Sequence, residues 1–110
     1  MQAFELLALQ AQHQAAGKRW LEFLRVPALS MGYYVLPAGS SDPQQPHTED
    51  EVYYVVSGRG QMRVGDKNRV VQAGSLVYVA KQVDHRFHSI TEALQVLVFF
   101  APAEGSQIAQ

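Results

Sequence analysis

The chain has 110 residues, which is enough for one hydrophobic core and too few for two. With 47% hydrophobic residues, 9 basic and 10 acidic side chains and a net charge of −1, the composition is that of a globular protein and argues against a nucleic-acid partner. Cysteine is absent, which excludes disulfides and thiolate metal sites, and no apolar run has the length of a membrane span or of a secretory signal, so we expect a cytoplasmic protein without a membrane partner.

The N-terminal segment, residues 1–18, is predicted to form a short helix. Phe4, Leu7 and Ala8 recur at helical spacing, and Gly17 offers a stop because glycine commonly ends helices. Residues 19–102 change to a strand-like composition and are predicted to form a single β-barrel. Residues 103–110 are expected to be a mobile tail.

Short strand-like runs rich in valine and tyrosine follow one another through the rest of the chain. They are predicted at residues 20–26, 29–36, 51–57, 61–64, 69–72, 76–80, 85–90 and 94–100. Turns are predicted at residues 58–60, at residues 65–68 with the sequence Gly-Asp-Lys-Asn, and at residues 73–75. Many short strands joined by closely spaced turns predict an all-β barrel or sandwich.

Three residues carry the donor atoms of a candidate metal site: His47, Glu51 and His85. Imidazole and carboxylate together suit divalent iron, manganese, nickel or zinc. A straight strand could not bring His47 and Glu51 to one ion, because four residues extend over roughly 13 Å and metal–ligand bonds are about 2 Å long. The chain is therefore expected to turn between them, and Glu51 is expected to point inward with Tyr53 and Val55 on the strand that follows.

Four further side chains could complete the site. Gln45 faces the same way as His47 if that piece is extended, so its amide oxygen is either a weak fourth ligand or part of the pocket lining. Tyr33, Tyr53 and Phe87 are expected to bind the substrate, although aromatic residues in strands often serve only as core. Two histidines and one carboxylate with open positions are the pattern of non-haem iron sites.

Other polar residues receive a structural interpretation. Glu49 and Asp50 are expected to be solvated turn residues. His88 lies three residues after His85, so in a strand the two side chains point to opposite faces, and His88 is expected to face outward. The Gly-Arg-Gly sequence at residues 58–60 is interpreted as a turn and not as a phosphate loop, because no helix follows it.

The spacing of the site residues resembles the first motif of the cupin superfamily, in particular its small single-domain members. That motif has two histidines one residue apart, then three or four residues and a glutamate, then six residues and a glycine. Gln45, His47, Glu51 and Gly58 stand at those places. Gln45 is a departure, since the family commonly has a histidine ligand there, and the metal would then be held mainly by His47, Glu51 and His85.

The second cupin motif is matched in part. Gly74 and His85 match its first glycine and its histidine ligand, whereas Ala80 and Gln82 replace the usual proline and glycine, and Ser89 replaces a later asparagine. The resemblance covers about residues 29–100. It implies an all-β fold, a small double-stranded β-helix barrel of the jelly-roll type with a short N-terminal helix. It also implies one divalent metal ion, with iron first and manganese, nickel or zinc as alternatives.

The resemblance further implies a metal-binding protein that acts on a small organic molecule. A non-haem-iron dioxygenase is the leading prediction, because three protein ligands leave positions open for substrate or oxygen. Metal-dependent lyases and isomerases are alternatives, and so is a non-catalytic small-molecule-binding or sensory protein, since one fold hosts many functions.

The chain is also expected to form a homodimer, as small cupins frequently do. Trp20, Leu21, Phe23 and Leu24 crowd both faces of one predicted strand, and the barrel of a monomer could cover only one of those faces. Pairing with the same segment of a second chain would bury the other face. The alternative is that the N-terminal helix folds back over it.

Overall fold

The structure is a computed structural model that describes residues 1–43 and 46–107. Within that part of the chain, one helix is followed by six strands, so the predicted all-β domain with a short N-terminal helix is confirmed. The elements are α1 (Leu6–Ala16), β1 (Trp20–Val26), β2 (Leu29–Leu36), β3 (Asp50–Val64), β4 (Lys67–Gln72), β5 (Leu76–Val79) and β6 (His85–Ala101).

The two longest strands hold the sheet together. β6 lies between β2 and β3, β1 lies beyond β2, and β3 pairs along its length with β5 and β4, all of them antiparallel. β3 and β6 pair from Asp50 opposite Ala101 to Val64 opposite His85, with shifts of register between Val55 and Gln61. Such bulges bend a strand pair, and the bent pair rolls the sheet into a barrel.

Side chains alternate between the core and the outside along the long strands. Glu51, Tyr53 and Val55 of β3 are buried while Val52 and Tyr54 are not, so the predicted inward direction of Glu51 is confirmed. The apolar core is built mainly from the inward residues of the five later strands. These are Tyr34, Leu36, Tyr53, Val55, Met62, Val71, Val79, Phe87, Ile90, Leu94, Val96, Val98 and Phe100.

Two predicted interruptions are continuous strand instead. The predicted turn at residues 58–60 lies inside β3, and residues 91–93 lie inside β6, so the predicted strands 85–90 and 94–100 are one strand. Glycine marks a β-bulge here and not a turn, because Gly58 has a φ of 98° and lies where the register with β6 shifts. The two backbones come so close that a Cβ on Gly58 would lie 2.1 Å from the carbonyl oxygen of Ala93.

Helix α1 ends where the sequence predicts, at Gly17, which has a φ of 67° and donates its N–H to the carbonyl of His13. Its buried residue is Leu9, whereas Leu7, one of the residues that recur at helical spacing, is exposed. The segment packs over the first two strands, and the ring of Phe4 contacts that of Phe23 on β1 with centroids 5.0 Å apart. Among the residues that the structure describes, no helix combines the length and apolar character needed to cross a membrane.

Residues 103–107 are tied to the barrel, which corrects the prediction of a mobile tail from residue 103; residues 108–110 lie outside the described part. Ala103 is buried and donates its N–H to Pro27, and the N–H of Glu104 donates to the hydroxyl of Ser30. The anchor is Glu49, whose carboxylate accepts N–H bonds from Gly105 (3.0 Å) and Gln107 (3.3 Å). The expectation that Glu49 is a solvated turn residue is wrong, because only 2% of it is exposed.

We expect Glu49→Gln to lower the free energy of unfolding near neutral pH by about 2 kcal/mol, because bonds to a charged acceptor are replaced by weaker ones. Burial alone would raise the pKa of Glu49, but the hydrogen bonds from Thr48, Gly105 and Gln107 outweigh burial and hold it below the ordinary value of 4.5. A lowered folded-state pKa stabilises the fold fully above pH 4.5, and that stabilisation is lost as the pH falls through the folded-state pKa.

Urea unfolding of the wild type and the Glu49→Gln variant at several pH values measures this difference. The difference in the free energy of unfolding between the two proteins should be largest near pH 7 and should disappear in acid. Glu92→Gln, an exposed carboxylate on β6, is the control and should unfold like the wild type. A difference in the free energy of unfolding that does not depend on pH would contradict a role for the charge of Glu49.

Candidate metal centre

His47, Glu51 and His85 come together at one place in the barrel. Glu51 lies on β3, His85 begins β6, and His47 lies in the loop before β3. Each offers a donor atom, and the three atoms all lie within 4.8 Å of one another. His85 Nε2 is 3.1 Å from Glu51 Oε1, and His47 Nε2 is 3.9 Å from the same oxygen. The chain bends at Thr48 and Glu49, so the turn predicted between His47 and Glu51 is present.

Neighbouring strands fix the position of each donor. Glu51 lies on the middle strand of three, opposite Val79 of β5 on one side and Phe100 of β6 on the other. The carbonyl of His47 accepts an N–H bond of 2.7 Å from Gln82, which ties its loop to the loop before β6. The ring of His47 also packs edge-on against Phe100, with centroids 4.8 Å apart. Two separate segments of sequence are thus locked against one another at the site.

The hydrogen bonds of His85 determine which of its nitrogens can bind a metal. Nδ1 lies 2.9 Å from the carbonyl oxygen of Val83, which can only accept, so Nδ1 carries the proton. Nε2 then presents its lone pair toward Glu51 and lies 3.1 Å from the hydroxyl of Tyr53. A backbone carbonyl on the far nitrogen is the usual way in which proteins orient a metal-binding imidazole.

The carboxylate of Glu51 provides the test of whether a metal fits. Both of its oxygens are buried, and among the described residues neither accepts a hydrogen bond of good geometry. A buried carboxylate without such partners is costly, and a cation between the three donors would satisfy it. Burial lowers the pKa of His85, but Glu51 and the Val83 carbonyl raise it more, so the net pKa lies above its ordinary value. The donor set therefore fits a divalent ion.

The predicted fourth ligand, Gln45, lies outside the residues that the structure describes. Asp50 is half-buried and accepts an N–H bond of 2.9 Å from Lys81, so it braces the entry of β3 and is not a free solvated residue. His88 points away from the site, as predicted, and contacts the side chain of Asn68 at 2.7 Å.

A cavity of about 320 Å³ is lined by two of the three donors, His47 and Glu51. This volume suits a small organic ligand. Apolar and aromatic side chains form most of its wall, and the charged or ionisable groups of the described lining, besides Tyr34, are His47, Glu51 and Glu104. The lining residues are Trp20, Tyr34, Pro43, His47, Glu51, Val98, Phe100 and Glu104.

The three predicted substrate-binding residues lie elsewhere. Tyr33 is on the opposite face of β2, beneath α1, where its hydroxyl donates to Gln95 and accepts from Gln10. Its assignment to this pocket is corrected, because side chains alternate along a strand and its neighbour Tyr34 is the one that lines the cavity. Tyr53 and Phe87 are fully buried in the core with their rings 4.9 Å apart, so their role in substrate binding stays a prediction.

Six lining residues were not predicted from the sequence as part of the site: Trp20, Tyr34, Pro43, Val98, Phe100 and Glu104. The alternation of β1 and β2 could have indicated Trp20 and Tyr34, which are paired across the two strands. Nothing in the sequence pattern points to Glu104, which is held at the cavity by the bond of its N–H to Ser30 and by the bonds of Glu49 to the residues after it. Burial, together with the nearby carboxylates of Glu51, Glu22 and Glu49, raises the pKa of Glu104 above its usual range.

The sequence matches a known family. The Cupin_2 family model, described as a cupin domain, matches residues 32–100. An uncharacterised protein of Streptomyces coelicolor is 49% identical over 105 residues, which are 96% of this chain and 100% of that protein. The family match covers more than half of the chain.

Solved structures share the fold. An RmlC-like cupin family protein with a double-stranded β-helix fold from Methanocaldococcus jannaschii superposes with a TM-score of 0.69 at 20% identity, covering 76% of this chain and 78% of that one. The DMSP lyase DddQ from Ruegeria pomeroyi gives a TM-score of 0.70 at 18% identity, covering 83% of this chain and 50% of that one. With its fold, its motifs and these matches, the chain belongs to the cupin superfamily as a small double-stranded β-helix barrel.

Proposed function

We propose that the protein is a metal-dependent enzyme of the non-haem-iron oxygenase type that acts on a small organic molecule. The observation that carries this proposal is the convergence of two imidazoles and one carboxylate, of which His47 and Glu51 line a largely apolar cavity. Two histidines and a carboxylate with open positions are the donor set of non-haem iron oxygenases. Manganese, nickel and zinc are the alternative ions for the same donors.

Each part of the chain has a separate task in this proposal. His47, Glu51 and His85 would hold the ion, and bound divalent iron would supply Lewis acidity and redox chemistry toward dioxygen. Val83 keeps the proton of His85 on Nδ1 and so leaves Nε2 for the ion. The apolar wall formed by Trp20, Val98 and their neighbours excludes water from the substrate, which strengthens every polar contact inside.

We expect the protein loaded with divalent iron to consume oxygen in the presence of a suitable dihydroxylated or dicarbonyl compound. A dioxygenase places both oxygen atoms in its product, so the substrate supplies all the electrons and no other reductant is needed. An oxygen electrode should record one molecule of oxygen per molecule of substrate, and mass spectrometry should show the gain of two oxygen atoms. The variant His85→Ala, exposed to the same iron and substrates, is the control and should consume none above background.

A metal-dependent lyase or isomerase is the second candidate. It is supported by the shared fold of the DMSP lyase DddQ, although an identity of 18% extends the likeness to the fold only. The same compounds incubated without oxygen distinguish the two, because a lyase or isomerase forms its product under nitrogen and an oxygenase does not. Binding without turnover, with every ion tried, would favour a sensory or ligand-binding role.

We also propose that the protein is located in the cytoplasm, where the reducing conditions keep iron divalent. We further propose that it is a homodimer. The surface predicted for pairing is partly occupied within one chain, because Trp20 lines the cavity and the ring of Phe23 contacts that of Phe4. A better surface is the outer face of β3 and β5, where Tyr54, Leu76 and Tyr78 are exposed. A second copy could bury this apolar patch around a two-fold axis. Light scattering should give twice the chain mass, and a monomeric mass at micromolar concentration would count against pairing.

A further inference from the structure

Part of the cavity wall is aromatic. Trp20, Tyr34 and Phe100 all line it, and the indole stands nearly perpendicular to both of its neighbours, at 74° to Tyr34 and 79° to Phe100, with centroids 6.1 and 6.2 Å away. The three rings are in edge-to-face contact and border the same cavity. Aromatic faces attract cations through their quadrupole, and groups of aromatic side chains bind quaternary ammonium groups.

Gly32 fixes the position of the indole. The ring of Trp20 lies directly over this residue, since a Cβ added to Gly32 would come within 2.0 Å of the indole carbon Cη2. No side chain separates the ring from the backbone of β2, and the hydroxyl of Tyr34 is held by a 2.8 Å bond to Asp42. The aromatic part is therefore set by the fold before any ligand enters.

The described part of the cavity lining contains two carboxylates and neither lysine nor arginine. Among the described residues that line the cavity, the ionisable side chains besides Tyr34 are His47, Glu51 and Glu104, and none is lysine or arginine. Glu104 Oε2 lies 3.7 Å from Nδ1 of His47, on the side of the ring away from the metal donors. The nearby Arg25 is committed to the carboxylate of Glu22 at 2.8 Å, and it donates to the carbonyl oxygen of Glu104. The carboxylate of Glu104 thus borders the aromatic part, with the imidazole of His47 beside it and no lysine or arginine among the described lining residues.

We propose that the aromatic part of the cavity binds a small organic cation, an ammonium group on a compact apolar body, between Trp20, Phe100 and Glu104. The aromatic faces attract the charge, and so does the carboxylate of Glu104. This inference rests on the proposed function only in that the cation would belong to a substrate whose other end reaches the ion. An anionic body would meet repulsion from Glu104 and no compensating side chain.

Trp20 provides the readout, because it is the only tryptophan of the chain and its indole lines the cavity. The probes are choline and 3,3-dimethylbutan-1-ol, which have the same shape and differ in the charge of the central atom. Titration of tryptophan fluorescence should show a saturable change with choline, at an affinity about tenfold higher than that of the neutral alcohol, as expected for a cation against aromatic faces. Equal affinities, or no saturable response to choline, would overturn the proposal.

Variants test whether Glu104 causes the preference for choline over the neutral alcohol. Glu104→Gln should lower the affinity for choline several-fold and leave that for the neutral alcohol unchanged, which would bring the ratio of the two close to one. Glu92→Gln removes the same charge from an exposed position outside this lining and should keep the wild-type ratio. Circular dichroism checks that both variants fold. A choline preference that survives Glu104→Gln at full size would contradict the role of that carboxylate.

The titrations are run on chelator-treated protein and on protein loaded with zinc, which does not quench fluorescence, with the metal content measured in parallel. The choline preference is expected in both forms, because the aromatic part and Glu104 do not depend on the ion. If the protein binds no metal but prefers choline, the proposed function fails and the cation site stands. If it binds one ion per chain but shows no preference, the cation site fails and the metal centre stands.

Discussion

Replacing His85 by alanine is expected to lower the affinity for divalent metal by more than about 100-fold, since losing even a group that only orients a ligand costs 10–100-fold. His85 supplies the donor that the structure fixes most firmly, because the Val83 carbonyl sets its tautomer and Glu51 lies 3.1 Å from Nε2. His88 offers a matched control on the same strand. It points to the other face, where it contacts Asn68, so His88→Ala should bind metal like the wild type.

Competition with a coloured chelator measures both affinities on protein stripped of metal. Circular dichroism is needed beside it, because His85 is 1% exposed and its loss leaves a space in the core. If the two histidine variants lose metal affinity equally, or if neither loses it, the assignment of His85 as a ligand is wrong.

Gly58→Ala is expected to give the largest loss of stability of any glycine substitution at a positive φ, about 4 kcal/mol, which combines backbone strain with a collision that forces the two strands apart. Its φ of 98° disfavours any side chain, and the added Cβ would lie 2.1 Å from the carbonyl oxygen of Ala93. The collision is with backbone at the bulge between β3 and β6, so no rotation of a side chain can relieve it.

Gly74→Ala is the matched control for this prediction. Gly74 has a similar φ of 91°, but nothing lies within 4 Å of the position of its Cβ, so only the backbone strain of about 1–2 kcal/mol remains. Urea unfolding of both variants, with metal removed so that binding adds no stability, measures the difference. Similar losses in the two variants would show that the close approach at Ala93 does not limit the fold.

Much of this architecture follows from local patterns in the sequence. Alternation along β3 predicts that Glu51 faces inward with Tyr53, and the impossibility of spanning the distance in a straight strand predicts the turn after His47. The same alternation predicts that His85 and His88 lie on opposite faces of their strand. These predictions hold because each depends on residues close together in one strand, where the period of two is a property of the backbone.

The remaining features depend on contacts between distant segments. Gly58 looks like a turn residue in the sequence, and only its pairing with β6 makes it a bulge. Tyr33 and Tyr34 are equally aromatic, and which of them meets the cavity depends on which face of β2 the helix covers. Glu104 reaches the cavity because Glu49, 55 residues earlier, holds the segment that contains it. No local pattern carries that information.

The most direct test of the metal centre is elemental analysis of untagged protein purified without added metal. The account predicts close to one divalent ion per chain in the wild type and loss of most of it in Glu51→Ala, since Glu51 is the anionic member of the three converging donors. A wild type that binds no ion even after incubation with iron, manganese, nickel or zinc, or a Glu51→Ala variant with unchanged stoichiometry, would contradict it.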